Sequence, residues 1–178
     1  MEKSKINIEA TLEVILNMLR YFENMPDSLD EQKKYIKRYN NIKQRMKLLI
    51  NDIYDYMVKN EGFASGISTG VKDAIDNKLV PKRIWEHPIP WKVFFQHLIK
   101  KKFTSTTELF DYIKITFCQC WITSDENKRL DKAKLKSKMP EGWQSWRDRY
   151  DDPKVKIKLA VEPYNPSNSN LDITPDHL

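Results

Sequence analysis

The chain has 178 residues, enough for one domain with a core or for a helical arm plus a smaller domain. Charged residues make up 31% and hydrophobic ones 40%, the profile of a soluble globular chain carrying a net charge of +6. No apolar run nears the roughly 20 residues of a membrane helix, and MEKSKINIEA lacks the apolar core of a secretion signal, so neither a membrane span nor export is expected.

Residues 8–24 place Ile8, Leu12, Ile15, Leu16, Leu19 and Phe22 at spacings of three and four, the period of one apolar helical face. Pro26 stops this helix, and Ser28-x-x-Glu31 has the form of a capping box opening a longer one that runs to about Asn60. Along it Tyr35, Tyr39, Ile42, Met46, Leu49, Ile53 and Met57 step mostly by alternating fours and threes, a coiled-coil seam over about three heptads. The two helices are expected to form an antiparallel hairpin over residues 1–60. The seam then faces the rest of the chain, the commoner outcome, or a second copy in a homodimer through 35–57.

EGFASGISTG at 61–70 holds three of the four glycines and reads as a hinge. It lacks the G-x-x-x-x-G-K-[ST] and G-x-G-x-x-G spacings of phosphate-cradling loops. A short helix over 71–77 follows.

Residues 79–102, LVPKRIWEHPIPWKVFFQHLIKKK, gather two of the three histidines, three of the nine prolines and two of the five tryptophans. Pro81, Pro88 and Pro90 restrict their own backbone and push the residue before each toward an extended form, so 79–90 is expected to be extended. A helix over 91–102 then buries Val93, Phe94, Leu98 and Ile99. Its last turn carries Lys100, Lys101 and Lys102, where the helix dipole favours cations.

Ser105-x-x-Glu108 caps another helix, with Leu109, Tyr112, Ile113, Thr116 and Phe117 on its buried side and an end near Trp121. Cys118 and Cys120 fall inside that helix as reduced thiols, the state of a cytoplasmic protein. Thr123-x-x-Glu126 opens a thinly apolar helix whose Lys128, Arg129, Lys132, Lys134, Lys136 and Lys138 form a broad basic face. After Pro140 and Gly142, Trp143, Trp146 and Tyr150 alternate with Arg147 and Arg149. Together with Lys82, Arg83, Trp85, Trp91 and the lysines of 128–138, these residues are either exposed rings for stacking on bases among phosphate-binding cations or a small core with a cation–π rim. Residues 155–162 alternate as one strand, whose expected partner is the extended part of 79–90. The Pro/Asn/Ser-rich segment 163–178, which holds His177, is expected to be a flexible tail.

The expected fold is therefore mainly α. An N-terminal antiparallel helical hairpin (1–60) and a Gly-rich hinge (61–70) precede a smaller, basic, mostly helical domain (71–162) with at most one or two short strands.

Charge is concentrated in that second part. Residues 82–150 carry 15 basic and 8 acidic groups, against 13 and 12 over 1–81 and 3 and 5 over 151–178. A field of that sign selects nucleic acid, an anionic membrane surface or an acidic protein partner. The candidate DNA- or RNA-binding residues are Lys82, Arg83, Lys100, Lys101, Lys102, Lys128, Arg129, Lys132, Lys134, Lys136, Lys138, Arg147 and Arg149. The alternative is a non-enzymatic interaction or inhibitor protein, such as a phage-encoded effector, docking through its basic surface or its helical hairpin.

One polar constellation stands out. Glu86-His87-x-x-Pro90 resembles the acid-His-x-x-Pro opening of the HNH (ββα-metal) endonucleases over about five residues. The resemblance implies His87 as general base for water, Glu86 as ligand of a divalent metal such as Mg²⁺ or Mn²⁺, and an Asn or His from a following helix. Asn127 is nominated for that last place, with His97 as the other candidate. The Cys-x-x-Cys pairs of many members of that family are absent, and no G-x-S-x-G or other hydrolase pattern occurs.

Overall fold

The structure, a computed structural model, describes residues 7–24, 29–164 and 166, and only the backbone over 29–37. The expected stop at Pro26, the Ser28-x-x-Glu31 box, the Tyr35 side chain, His177 and the flexible tail beyond residue 166 lie outside the described residues.

Helix α1 (Ile8–Glu23) begins where Asn7 accepts a hydrogen bond from Ala10 N at 3.1 Å. It buries Leu12, Ile15, Leu16 and Leu19, the face that its spacing predicts. Helix α2 (Leu29–Asn60) packs beside it. Met46, Ile50, Ile53, Tyr54 and Met57 of α2 are wholly buried in the chain's own core, while Leu49 is only partly covered. From Met46 onward the seam therefore faces its own chain. Phe22 of α1 meets Tyr39 of α2 and Phe95 edge-on at 5.1 and 5.4 Å between ring centroids.

The second half is built on a sheet rather than on helices alone. Strands β1 (Gly66–Ser68), β2 (Arg83–Glu86), β3 (Cys120–Thr123) and β4 (Leu159–Val161) form one mixed sheet in the order β2-β3-β1-β4. β1 and β3 run parallel, and each has an antiparallel neighbour at the sheet's edge. Helices α3 (Thr69–Asp76), α4 (Trp91–Lys100), α5 (Thr106–Thr116), α6 (Ser124–Lys132) and the single turn α7 (Asp148–Asp151) complete the elements.

Several expectations need correction. The helix expected to reach Trp121 ends at Thr116, and the residues beyond it become strand. Cys118, Cys120 and Ile122 are all buried. A period of two puts them on one face, whereas a helix would scatter them, so burial selects the strand. The strand near 155–162 shrinks to β4 and does not pair with 79–90. β3 and β1 lie between β2 and β4 and supply every ladder bond. The basic helix stops at Lys132, and Lys134 takes a positive φ of 61°.

Residues 61–70 contain β1 in the sheet's interior. Here Gly66 serves close approach rather than freedom: a Cβ on it would lie 2.6 Å from Cys120 Sγ and 2.9 Å from Pro163 Cδ. Ser68 then caps α3, and Thr123 caps α6 through the predicted box with Glu126. The two helix starts are joined, because Ser68 Oγ donates to Glu126 Oε2 at 2.7 Å.

Candidate nucleic-acid interface

The polar centre of the fold lies at the end of β2. Alternation along Arg83–Glu86 turns Ile84 and Glu86 toward the core side of the sheet and Arg83 and Trp85 toward the other. Glu86 Oε1 accepts from Arg149 Nη1 at 2.6 Å, and the Arg149 side chain is wholly buried. The same guanidinium donates to four backbone carbonyls: Leu135 at 2.8 Å, His87 at 2.8 Å, Pro88 at 3.2 Å and Lys136 at 3.2 Å. Arg149 thus clamps the proline connector to the turn after α6. This residue was expected on the nucleic-acid surface; its complete burial makes it a bolt inside the molecule.

His87 is buried against Phe117, 5.2 Å between ring centroids. Its Nε2 faces Asn51 Oδ1 at 3.3 Å, and that oxygen also accepts from Gln119 Nε2 at 2.9 Å. An amide oxygen can only accept, so Nε2 carries the proton in the neutral ring. Burial, helped by the cations Lys47 and Arg149, holds the imidazole down at about 3, far below the usual histidine range. Burial pushes Glu86 up from the ordinary carboxylate range, against the pull of Arg149, Lys47 and Lys136.

These features fit a metal-dependent base poorly. The carboxylate that would ligate a cation is occupied by a guanidinium, and the imidazole is a weak base locked by an amide. Among the described residues no cluster of three His, Cys, Asp or Glu side chains is arranged to hold a metal ion. The amide at His87 comes from Asn51 on α2. Asn127 is half-buried on α6, next to the capping Glu126, and His97 is half-buried on α4. Neither Asn51 nor Gln119 carries a local sequence signal, because each meets His87 only through the tertiary fold.

The basic candidates divide by environment. Lys82, Arg83, Lys100, Lys101, Lys102, Lys132, Lys134 and Lys138 are exposed. Lys128 and Lys136 are exposed but hold Asp125 at 2.8 Å and Asp131 at 3.4 Å. Arg129 is partly covered, 3.9 Å from Glu126. Arg147 lies over the Trp146 ring at 4.6 Å and reaches Glu162 at 3.2 Å. Trp146 and Tyr150 are buried, so the late aromatic cluster is core with a cation–π rim.

The exposed aromatic surface lies elsewhere, on the sheet. Trp85 of β2 is 43% exposed and lies against Trp121 of β3, its cross-strand partner, with ring centroids 3.7 Å apart and the planes tilted by 39°. The Arg83 guanidinium sits over the Trp121 ring at 5.2 Å. Register carries the row on through Ile67 of β1 to Val161 of β4, which is 41% exposed. Trp121 escaped the sequence reading because it was placed at a helix end.

Compared with protein families, curated proteins and solved structures, the chain matches none.

Proposed function

We propose that this chain binds nucleic acid and holds it without cutting it. The observation that carries the reading is the set of exposed cations Lys82, Arg83, Lys100, Lys101, Lys102, Lys132, Lys134 and Lys138. Among the described residues, no ion pair to an acid occupies any of them. Cations of this kind replace condensed counterions along a phosphate backbone, and the release of those ions drives binding. Arg149 supports the arrangement from inside, since it fixes the connector after Lys82 and Arg83 beside the turn that carries Lys134 to Lys138. The Glu86–His87 pair is assigned a structural role, because both side chains are already engaged.

The test is a titration against labelled single- and double-stranded DNA and RNA at two salt concentrations, with and without Mg²⁺ or Mn²⁺. Affinity should fall steeply with salt, and charge reversal at Lys132, Lys134 and Lys138 together should lower the log–log slope by up to about three. The probe should stay intact whichever metal is added. Metal-dependent cleavage lost in His87→Ala would restore the nuclease reading. Absence of binding at either salt would leave an acidic protein partner as the ligand of the basic surface.

A further inference from the structure

The open face of the sheet carries a continuous apolar row across all four strands. Trp85 pairs with Trp121 and Trp121 with Ile67, so these three side chains share one level and one face, and Ile67 pairs in turn with the exposed Val161 beside a bulge in β4. At about 4.8 Å between strands the row is about 14 Å long. Its opposite face is core: Gly66, Ser68, Cys120 and Ile122 are buried. Among the described strand residues, the side chains on the open face are Arg83, Trp85, Ile67, Trp121, Thr123 and Val161, with one charge among them, and it is positive. Lys82, exposed, directly precedes Arg83 in the chain.

Stability alone gives little reason for this pattern. A solvated sheet face ordinarily alternates polar outward, and an edge strand is usually guarded by charge rather than by an exposed indole. A tryptophan left open beside a second tryptophan and an arginine matches the needs of an unpaired base. Every base has a flat π face that stacks on an aromatic ring, and the phosphate linking it to the next base needs a nearby cation. Duplex bases are already stacked on each other and cannot use such a ring. We infer that the row headed by Trp85 and Trp121 is a stacking platform for single-stranded nucleic acid, with Arg83 and Lys82 taking the adjoining phosphates. The assignment rests on the nucleic-acid reading above and narrows it to the ligand's form and the place where its bases sit. Among the described residues no acidic side chain lies on this face, which favours this polyanion over a protein segment.

The experiment uses the full chain and a labelled 12-nucleotide strand, as DNA and as RNA, each also annealed to its complement. Wild type should prefer the single strand by about tenfold or more. Trp85→Ala should weaken single-strand binding by about tenfold and leave duplex binding within about twofold, while Trp85→Phe, which keeps a ring, should retain most of the affinity. Trp85 lies on an exposed edge strand, so the variants should keep the wild-type circular dichroism and melting temperature. A Trp85→Ala protein that is folded and binds the single strand as well as wild type overturns the platform. If wild type binds single strand and duplex equally, with Trp85→Ala unchanged, the platform falls and the basic-surface reading stands. Binding of no nucleic acid at all removes both. Self-association of wild type that Trp85→Ala abolishes would assign the row to a second copy of the chain and also overturns the proposal.

Discussion

Arg149 shows how far one side chain's role depends on its surroundings. In the sequence it is one more cation in a basic stretch; in the fold it is sealed in, with one carboxylate and four carbonyls as partners. Removing one member of a buried pair strands the other, at a cost of ~3–5 kcal/mol, whereas replacing both by apolar groups is often neutral. Arg149→Met should therefore lower the urea midpoint sharply, and adding Glu86→Leu should recover much of the loss. A double variant as unstable as Arg149→Met alone would show that the carbonyl contacts, rather than the ion pair, dominate. His87 makes a second prediction. Its folded pKa, about 3, lies below the unfolded value of 6.5, so the unfolded chain takes up the proton first as pH falls. The stability it contributes is full above about pH 6.5 and declines as pH drops toward 3. Between pH 7 and 5 the loss is about 2 kcal/mol from this residue. Glu86, with its pKa raised, acts in the opposite sense, since the folded state binds its proton more readily as pH falls through the folded value. Urea unfolding across pH 5–7 should show the slope in wild type and a flatter profile in His87→Gln. Equal slopes in the two proteins would remove His87 as the cause.

Among the elements, the strands decide most and are hardest to read. β1 and β4 span three residues each, too short for alternation to be distinguished from chance in the sequence. β3 follows α5 with so short a connection that its residues read as one continuing helix. Gly66 belongs to the same scale. It was legible as a turn signal, yet its strand position is set by the thiol of Cys120 and the ring of Pro163, which leave no room for a methyl group. Gly66→Ala should destabilise the protein by ~1–3 kcal/mol through overpacking, measured as a lower melting temperature. An unchanged melting temperature would mean that β1 and β3 can separate slightly at no cost. Helices, by contrast, announced themselves well. The apolar spacing of α1 and the Thr123–Glu126 capping box both appear as predicted, because each depends on residues within one or two turns.

For the whole molecule, the described core is one cluster. It runs from Leu12 and Ile15 of α1 through Met46 and Met57 of α2 to Phe94, Ile122, Trp146 and Ile157. Among the described residues no helix is long and apolar enough to cross a membrane. The charge surplus of residues 82–150 stays outside that core, apart from Arg149, and the proposed salt-dependent binding rests on this separation. Much of the candidate interface was therefore readable from the sequence as a charge map, because lysines seldom bury and exposure can be assumed. The aromatic half was left open. Rings flanked by cations could be exposed or core, and the fold divides them: Trp146 fills the core, while Trp85 is exposed beside a half-buried Trp121.

The division follows from range. The sequence alone determined where α1 and the capped α6 begin, where the basic surplus lies and that prolines follow Glu86 and His87, since each is a property of neighbours along the chain. Only the tertiary structure decided which cations remain in solvent, which acid the buried arginine meets and which two tryptophans share a face. Those are contacts between residues far apart in sequence: Arg149 and Glu86, His87 and Asn51, Trp85 and Trp121. Pairings at such separations are set by competition for space and hydrogen bonds across the whole core, and no local pattern records their outcome.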